Sequence, residues 1–264
     1  MTKASLKFFM LFLLKTFLLP DLFSQNHSSL SLSIGTSLPI GSFSSDDTKN
    51  RNAGLAKAGA VLNLKYARVI PKEKFGLGVL LRASVNGLNT NALIDSYYDS
   101  NPLPQLNWQK KVSGWREFSI LPGIIYTILS YKKIQIQSGL YIGAAYTKSP
   151  KYSLNGNGSY TNSSGRNLEK DVTFEQDQAN AVAFTGALQG GFKYPINKRL
   201  SLIMDFEYHY LKPTFKDVRQ IGYGQTVIEP GGPSNTSLFH YESQFNIRQN
   251  MNTINFTIGL SGNL

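Results

Sequence analysis

Hydrophobic and polar residues alternate with a period of two along most of this chain. In the clearest run, Ile134, Ile136, Ser138, Leu140, Ile142, Ala144 and Tyr146 share one parity. Gln135, Gln137, Gly139, Tyr141, Gly143 and Ala145 share the other. The same alternation sets Ile254, Phe256, Ile258 and Leu260 against Asn255, Thr257, Gly259 and Ser261. It also sets Leu200, Leu202, Met204, Phe206, Tyr208 and Tyr210 against Ser201, Asp205, Glu207 and His209. No stretch after residue 25 sustains the 3.6-residue apolar period of an amphipathic helix. The pattern predicts eight strands, at about 29–41, 55–70, 75–87, 114–129, 134–147, 179–194, 200–212 and 247–262.

Three of the connections are short: 71–74, 130–133 and 195–199. Four are long: about 42–54, 88–113, 148–178 and 213–246. Short and long alternate strictly, which in an up-and-down barrel gathers all short turns at one end. The strands exceed the roughly 9–11 residues a tilted membrane-crossing strand needs. The expected fold is therefore all-β, an eight-stranded antiparallel up-and-down transmembrane β-barrel, the smallest of the outer-membrane range. An open sheet edge in hydrocarbon leaves backbone groups unpaired at several kcal/mol each, so strand eight must pair with strand one. Pro122 cannot donate to a ladder and predicts a bulge or kink in the fourth strand.

Alternation alone does not say which face points outward. A soluble barrel of the lipocalin kind hides its apolar face, whereas a membrane barrel shows it to lipid. Three features favour the second. The apolar face carries basic residues only near strand ends, at Arg68, Arg116, Lys212 and Arg248. Its aromatics gather in two rings: Tyr66, Phe75, Tyr126, Phe192 and Tyr194 at the short-turn end, and Phe118, Tyr146, Phe184, Tyr208 and Tyr210 at the other. The opposite face is too polar for a dry core.

Composition agrees. Of 264 residues only 16% are charged and 12% are aromatic; there is no cysteine, and the net charge is +11. The missing cysteines exclude disulfides, thiolate metal sites, a thiol nucleophile and a lipid anchor on cysteine. Residues 1–24 carry Lys3 and Lys7 before an apolar stretch from Phe8 to Leu19, and Ser24 precedes a polar Gln25. That is the layout of a secretory signal peptide, leaving 25–264 as the barrel domain. Its removal takes three lysines and Asp21 and leaves a charge of about +9. Lys72, Lys74, Lys132, Lys133, Lys198 and Arg199 make the short turns basic, which suits anionic lipid headgroups. No nucleic-acid recognition motif accompanies the charge.

The candidate site is a lumen charge network of Lys57, Lys65, Arg82, Glu117, Lys193, Asp205 and Glu207. An eight-stranded barrel is just wide enough for side chains to fill, so these charges are expected to form a structural ion-paired plug, with Arg82 and Glu117 as part of it. A narrow gated channel is the alternative. The three histidines, His27, His209 and His240, match no metal-ligand spacing. His240-Tyr-Glu-Ser243 brings His, Glu and Ser close in sequence, so a lipid-modifying enzyme using His240 or His209 is weighed against a non-enzymatic barrel. No catalytic residue, cofactor or metal is expected. The long loops, with Tyr97, Tyr98, Trp108, Tyr152, Tyr160 and Tyr223 among many Asn, Ser and Gly, are expected to make surface contacts.

Ile34-Gly-Thr-Ser-Leu-Pro-Ile-Gly-Ser-Phe43, Phe75-Gly-Leu-Gly-Val79, Phe118-Ser-Ile-Leu-Pro-Gly-Ile-Ile-Tyr126 and Gly139-Leu-Tyr-Ile-Gly143 carry a resemblance. The chain resembles outer-membrane β-barrel proteins of Gram-negative bacteria, most of all the porin-type, OmpA-like eight-stranded barrels of the Bacteroidota. A proline in the fourth strand is usual in that family. The resemblance implies an outer-membrane location, short turns in the periplasm, long loops outside, and outer-membrane lipids and the assembly machinery as partners. At the C-terminus Thr257, Gly259 and Leu264 fit the family's assembly signal. Gly262 stands where a hydrophobic residue is expected, and the terminal aromatic is absent. With the chain stopping at strand eight, no peptidoglycan-binding domain is expected.

Overall fold

Period-two alternation satisfies its backbone groups only by lateral pairing, and here the pairing closes on itself. The structure, a computed structural model, describes residues 28–50, 53–70, 73–100, 106–131, 134–161, 167–228 and 237–264. The proposed signal peptide, His27, Lys72, Lys132 and Lys133 lie outside these residues. Eight antiparallel strands form a closed barrel: β1 (Ser28–Pro39), β2 (Ala56–Val69), β3 (Phe75–Leu88), β5 (Trp115–Tyr131), β6 (Ile134–Lys148), β9 (Asn180–Pro195), β10 (Leu200–Leu211) and β13 (Thr253–Asn263). The seam joins β1 to β13, with Ile34 opposite Ile258.

The apolar parity faces out. Leu32, Ile34, Leu77, Ile124, Leu188, Phe192, Met204, Ile258 and Leu260 are all exposed on the wall. Inward positions on the same strands are Ser33, Asn63, Arg82, Ser119, Gln189, Glu207 and Asn255, all buried. Water would expel such an exterior, and hydrocarbon accepts it. The barrel therefore spans a membrane by its strands; among the described residues no helix is long and apolar enough to do so. Phe75 and Tyr126 pair at 4.8 Å in the ring near the short turns. Phe206 and Phe256 pair at 5.2 Å within the belt.

Two expectations are corrected. Pro122 causes no bulge: Val79 stays opposite it, and the offset between β5 and β6 is the same at Ile120–Ala144 and Gly123–Tyr141. Its ring points outward. A Cβ at the nearby Gly143 would run into the Ile120 carbonyl, so glycine lets β6 close up there. The bulge in β5 lies between Thr127 and Leu129 instead. A second bulge, between Lys57 and Gly59 in β2, reverses the parity above it. Ala56 turns inward and Lys57 is exposed, so Lys57 lies outside the lumen.

Three of the four long connections are not loops. They contain β4 (Asn107–Val112), β7 (Tyr152–Thr161), β8 (Asn167–Gln176), β11 (Thr214–Ile228) and β12 (Ser237–Arg248), paired as one sheet in the order β12-β11-β8-β7-β4. Each continues a barrel strand after a short break, and Pro150 and Pro213 stand at two of the breaks. The last strand expected from sequence thus divides, its first residues belonging to β12. Helix α1 (Thr90–Ser100) packs on this outer sheet. Ile94, Leu93 and Tyr98 of α1 meet Tyr152, Leu154, Trp108 and Phe174. The other face is polar: Ser153 donates to Glu175 at 3.1 Å, and Arg219 to Glu242 at 2.6 Å.

Candidate functional site: the lumen and the outer head

Arg82 is the centre of the lumen. Its side chain is fully buried, and all its donor nitrogens are used. Nε donates to Glu207 at 3.0 Å, and Nη1 donates to Ser84 at 3.0 Å and to Glu117. Nη2 reaches Thr253 at 3.3 Å and Asn255 at 3.5 Å. These partners stand on β3, β5, β10 and β13, so one guanidinium ties together four of the eight strands. Glu207 also accepts from Asn255 at 2.8 Å and from Asn63 at 3.4 Å. A buried charge needs such saturation, because an uncompensated one costs several kcal/mol.

Towards the short turns, Lys65 donates to Gln189 at 3.0 Å and pairs with Asp205 at 3.4 Å. Lys193 is half-buried and donates to Asn263 at 3.4 Å rather than to a carboxylate. Of the seven predicted lumen residues the structure thus gathers Arg82, Glu117 and Glu207 in one cluster and Lys65 with Asp205 in a second. Lys193 stands apart, and Lys57 faces away. A polar vestibule of about 630 Å³ opens below, lined by Lys65, Lys193, Gln135, Gln137 and Ser261 among others.

An apolar stopper lies on the long-loop side. The β1–β2 connection folds into the barrel mouth through a 3-10 turn at Gly41–Phe43, where Gly41 has φ +61. It buries Phe43 completely, against Trp115 at 5.6 Å; Trp115 in turn meets Phe215 at 5.7 Å. The Trp115 indole donates to the Gly54 carbonyl at 3.0 Å. A Cβ on Gly54 would strike the Phe43 ring, so only glycine fits this fold-back. Leu211, Val218 and Met251 complete the stopper.

Neither histidine site carries a nucleophile and base. His209 is buried, with Nε2 at 2.8 Å from Thr185 Oγ1 and 3.2 Å from Glu117. The Thr185 hydroxyl donates to the Tyr210 carbonyl at 2.8 Å. Its single proton is therefore engaged, and the network assigns the ring hydrogen to Nε2. The imidazole donates where a general base would accept. His240 and Glu242 share one face of β12, strand geometry puts Ser243 on the other, and Arg219 holds Glu242 below its ordinary carboxylate range. Among the described residues no group of three or more His, Cys, Asp or Glu is placed to hold a metal ion.

Sequence reading missed the outer head. Between the stopper and the outer sheet lies a second cavity, of about 760 Å³. Gln220 donates to Tyr152 at 3.0 Å and to Gln176 at 2.9 Å along one wall, and Gln176 donates to the Pro150 carbonyl at 3.0 Å. Burial pushes the Tyr152 phenol up to about 12. The signal was present as aromatic–glycine pairs: Trp108 lies over Gly156, Tyr241 over Gly222 and Phe239 over Gly224, each directly across a strand pair.

No family model matches the sequence, and no curated protein matches it. Among solved structures it is similar to Neisserial surface protein A, at 10% identity over 90% of this chain and 97% of that one, with a TM-score of 0.43. A major outer membrane protein from Thermus thermophilus is similar at 10% identity over 90% and 99%, with a TM-score of 0.39. The attachment invasion locus protein Ail of Yersinia pestis is similar at 11% identity over 90% and 99%, with a TM-score of 0.37.

Proposed function

We propose that this chain is a non-enzymatic barrel of a Gram-negative outer membrane, whose plugged lumen anchors a rigid head that makes contacts outside the cell. One observation carries the reading. The lumen is crossed by the Arg82 cluster and the Phe43–Trp115–Phe215 stopper, while the longest connections build a hydrogen-bonded sheet beyond the membrane belt. A pore needs a wet path, and these two layers stand between the vestibule and the outer cavity. A display surface needs rigidity, which sheet pairing and the α1 packing supply. The apolar belt takes outer-membrane lipid as its solvent, the assembly machinery inserts the barrel, and basic short turns suit the periplasmic leaflet.

Planar-bilayer recording of the refolded protein is expected to show no reproducible conductance steps. Stable steps that survive exchange of the lumen charges would overturn the plug. Protease treatment of intact cells is expected to remove the head and leave the barrel; a head cleaved only in lysed cells would reverse the orientation. Lipid profiles with and without the protein are expected to match, and a new lipid species would favour the enzyme reading.

A further inference from the structure

The outer cavity is a bowl whose buried lining, among the described residues, is uncharged. Ala53, Gly54, Leu55 and Trp115 line it next to the stopper, and Leu88, Leu93, Phe245 and Ile247 are its other apolar side chains. Its polar side is the preordered row Tyr152–Gln220–Gln176. Among the described residues no carboxylate and no lysine lines it, and Arg248, its one described ionic group, is exposed. The size lies within the range of about 300–1,000 Å³ usual for small-ligand sites.

The hydrogen bonds of the row leave defined valences. Gln220 spends its amide donations on Tyr152 and Gln176, so its carbonyl oxygen is an unspent acceptor among the described residues. Tyr152 accepts from Gln220, so its hydroxyl proton remains to donate. Burial keeps that proton on the phenol across ordinary pH. A donor and an acceptor side by side, in a cavity that also presents Leu88, Leu93, Phe245 and Ile247, match a ring that carries hydroxyls at its edge and C–H bonds on its face. Charged ligands find no buried counter-ion there, and purely apolar ones would strand the row without partners.

We propose that this bowl binds a neutral saccharide, with Tyr152 and Gln220 contacting a hydroxyl pair and the apolar lining packing against the ring face. The proposal rests on reading the head as a contact surface. The refolded protein reports the bowl whichever way the barrel is oriented, and protease treatment of cells reports orientation whether or not the bowl is occupied.

The test applies refolded full-length protein to a printed array of neutral, sialylated and sulphated glycans, followed by calorimetric titration with the strongest neutral hit. Neutral glycans are expected to bind. Gln220→Leu and Tyr152→Phe are each expected to weaken binding by about tenfold, the worth of one hydrogen bond. Gln225→Ala, on the opposite face of β11, is expected to leave it unchanged. Heat-modifiable gel migration checks that each variant is folded, and either folded variant suffices. Binding only to sialylated or sulphated glycans, no binding on the array, or equal binding by the folded variants would overturn the proposal.

Discussion

Replacing Arg82 by methionine tests the plug most directly. The substitution keeps most of the volume and removes the charge and every donor. Glu117 and Glu207 then remain buried in the lumen without their guanidinium, and Ser84, Thr253 and Asn255 each lose a partner. Breaking a buried pair by deleting one partner costs about 3–5 kcal/mol. The two carboxylates share one cation, so their losses do not simply add. We expect about 4 kcal/mol, roughly a thousandfold in the folding equilibrium. Arg82→Lys keeps the charge but not the fork, and should fall between parent and methionine variant. The triple variant Arg82→Met, Glu117→Gln, Glu207→Gln removes the stranded charge and should recover most of the loss. The assay is urea unfolding from lipid vesicles, followed by tryptophan emission and heat-modifiable migration. A single variant within about 0.5 kcal/mol of the parent, or a triple variant no more stable than the single, would refute the reasoning.

Phe43→Ala leaves a void beneath Trp115 and is expected to cost about 3–5 kcal/mol in the same assay. It should remain silent in planar bilayers because the Arg82 cluster still closes the barrel; channels in this variant would make the folded-in connection the sole barrier. Gly156→Val places a side chain where the Trp108 ring now lies. In a Trp115→Phe background, emission should shift to the red as Trp108 is lifted into water. The Tyr152 phenol lies at about 12 in the folded protein, above its ordinary value. Its contribution to stability is therefore full below about pH 10 and falls between there and pH 12. Tyr152→Phe should flatten that part of the stability–pH curve.

The barrel was legible because lipid on one side and a crowded polar lumen on the other impose the same alternation on all eight strands. Even Pro122, an apparent defect in its strand, leaves the register unchanged, since its ring faces outward and the pairing with β6 resumes at Gly123. Parity counting misplaces Lys57 because a bulge is a one-residue event that it cannot see. The head was illegible for a different reason. In β7, Gly156 stands where an apolar residue would mark the covered face, because Trp108 of the neighbouring strand fills the space from across the pair. Apolar mass is supplied between strands rather than along one. Helix α1 hides similarly, since Asn91, Asp95 and Ser96 dilute its apolar stripe of Leu93, Ile94 and Tyr98. The Arg82–Glu117 pairing follows from neighbouring strands. Glu207, Thr253 and Asn255 reach Arg82 from across the lumen, and closure alone brings them there.

That reach across the chain gives the cluster a temporal meaning. Arg82 and Glu117 are 35 residues apart and on adjacent strands, so they can meet as soon as β3 and β5 pair. Glu207 is 125 residues from Arg82, and Thr253 is 171. A nascent sheet that has not yet brought β10 and β13 around holds a half-coordinated guanidinium, and Glu207 still lacks its cation. The contacts that complete the cluster are the ones that need β10 and β13 in place, and circular closure is what brings them together. An unclosed sheet cannot assemble the full cluster, which couples that cluster to the joining of β1 and β13.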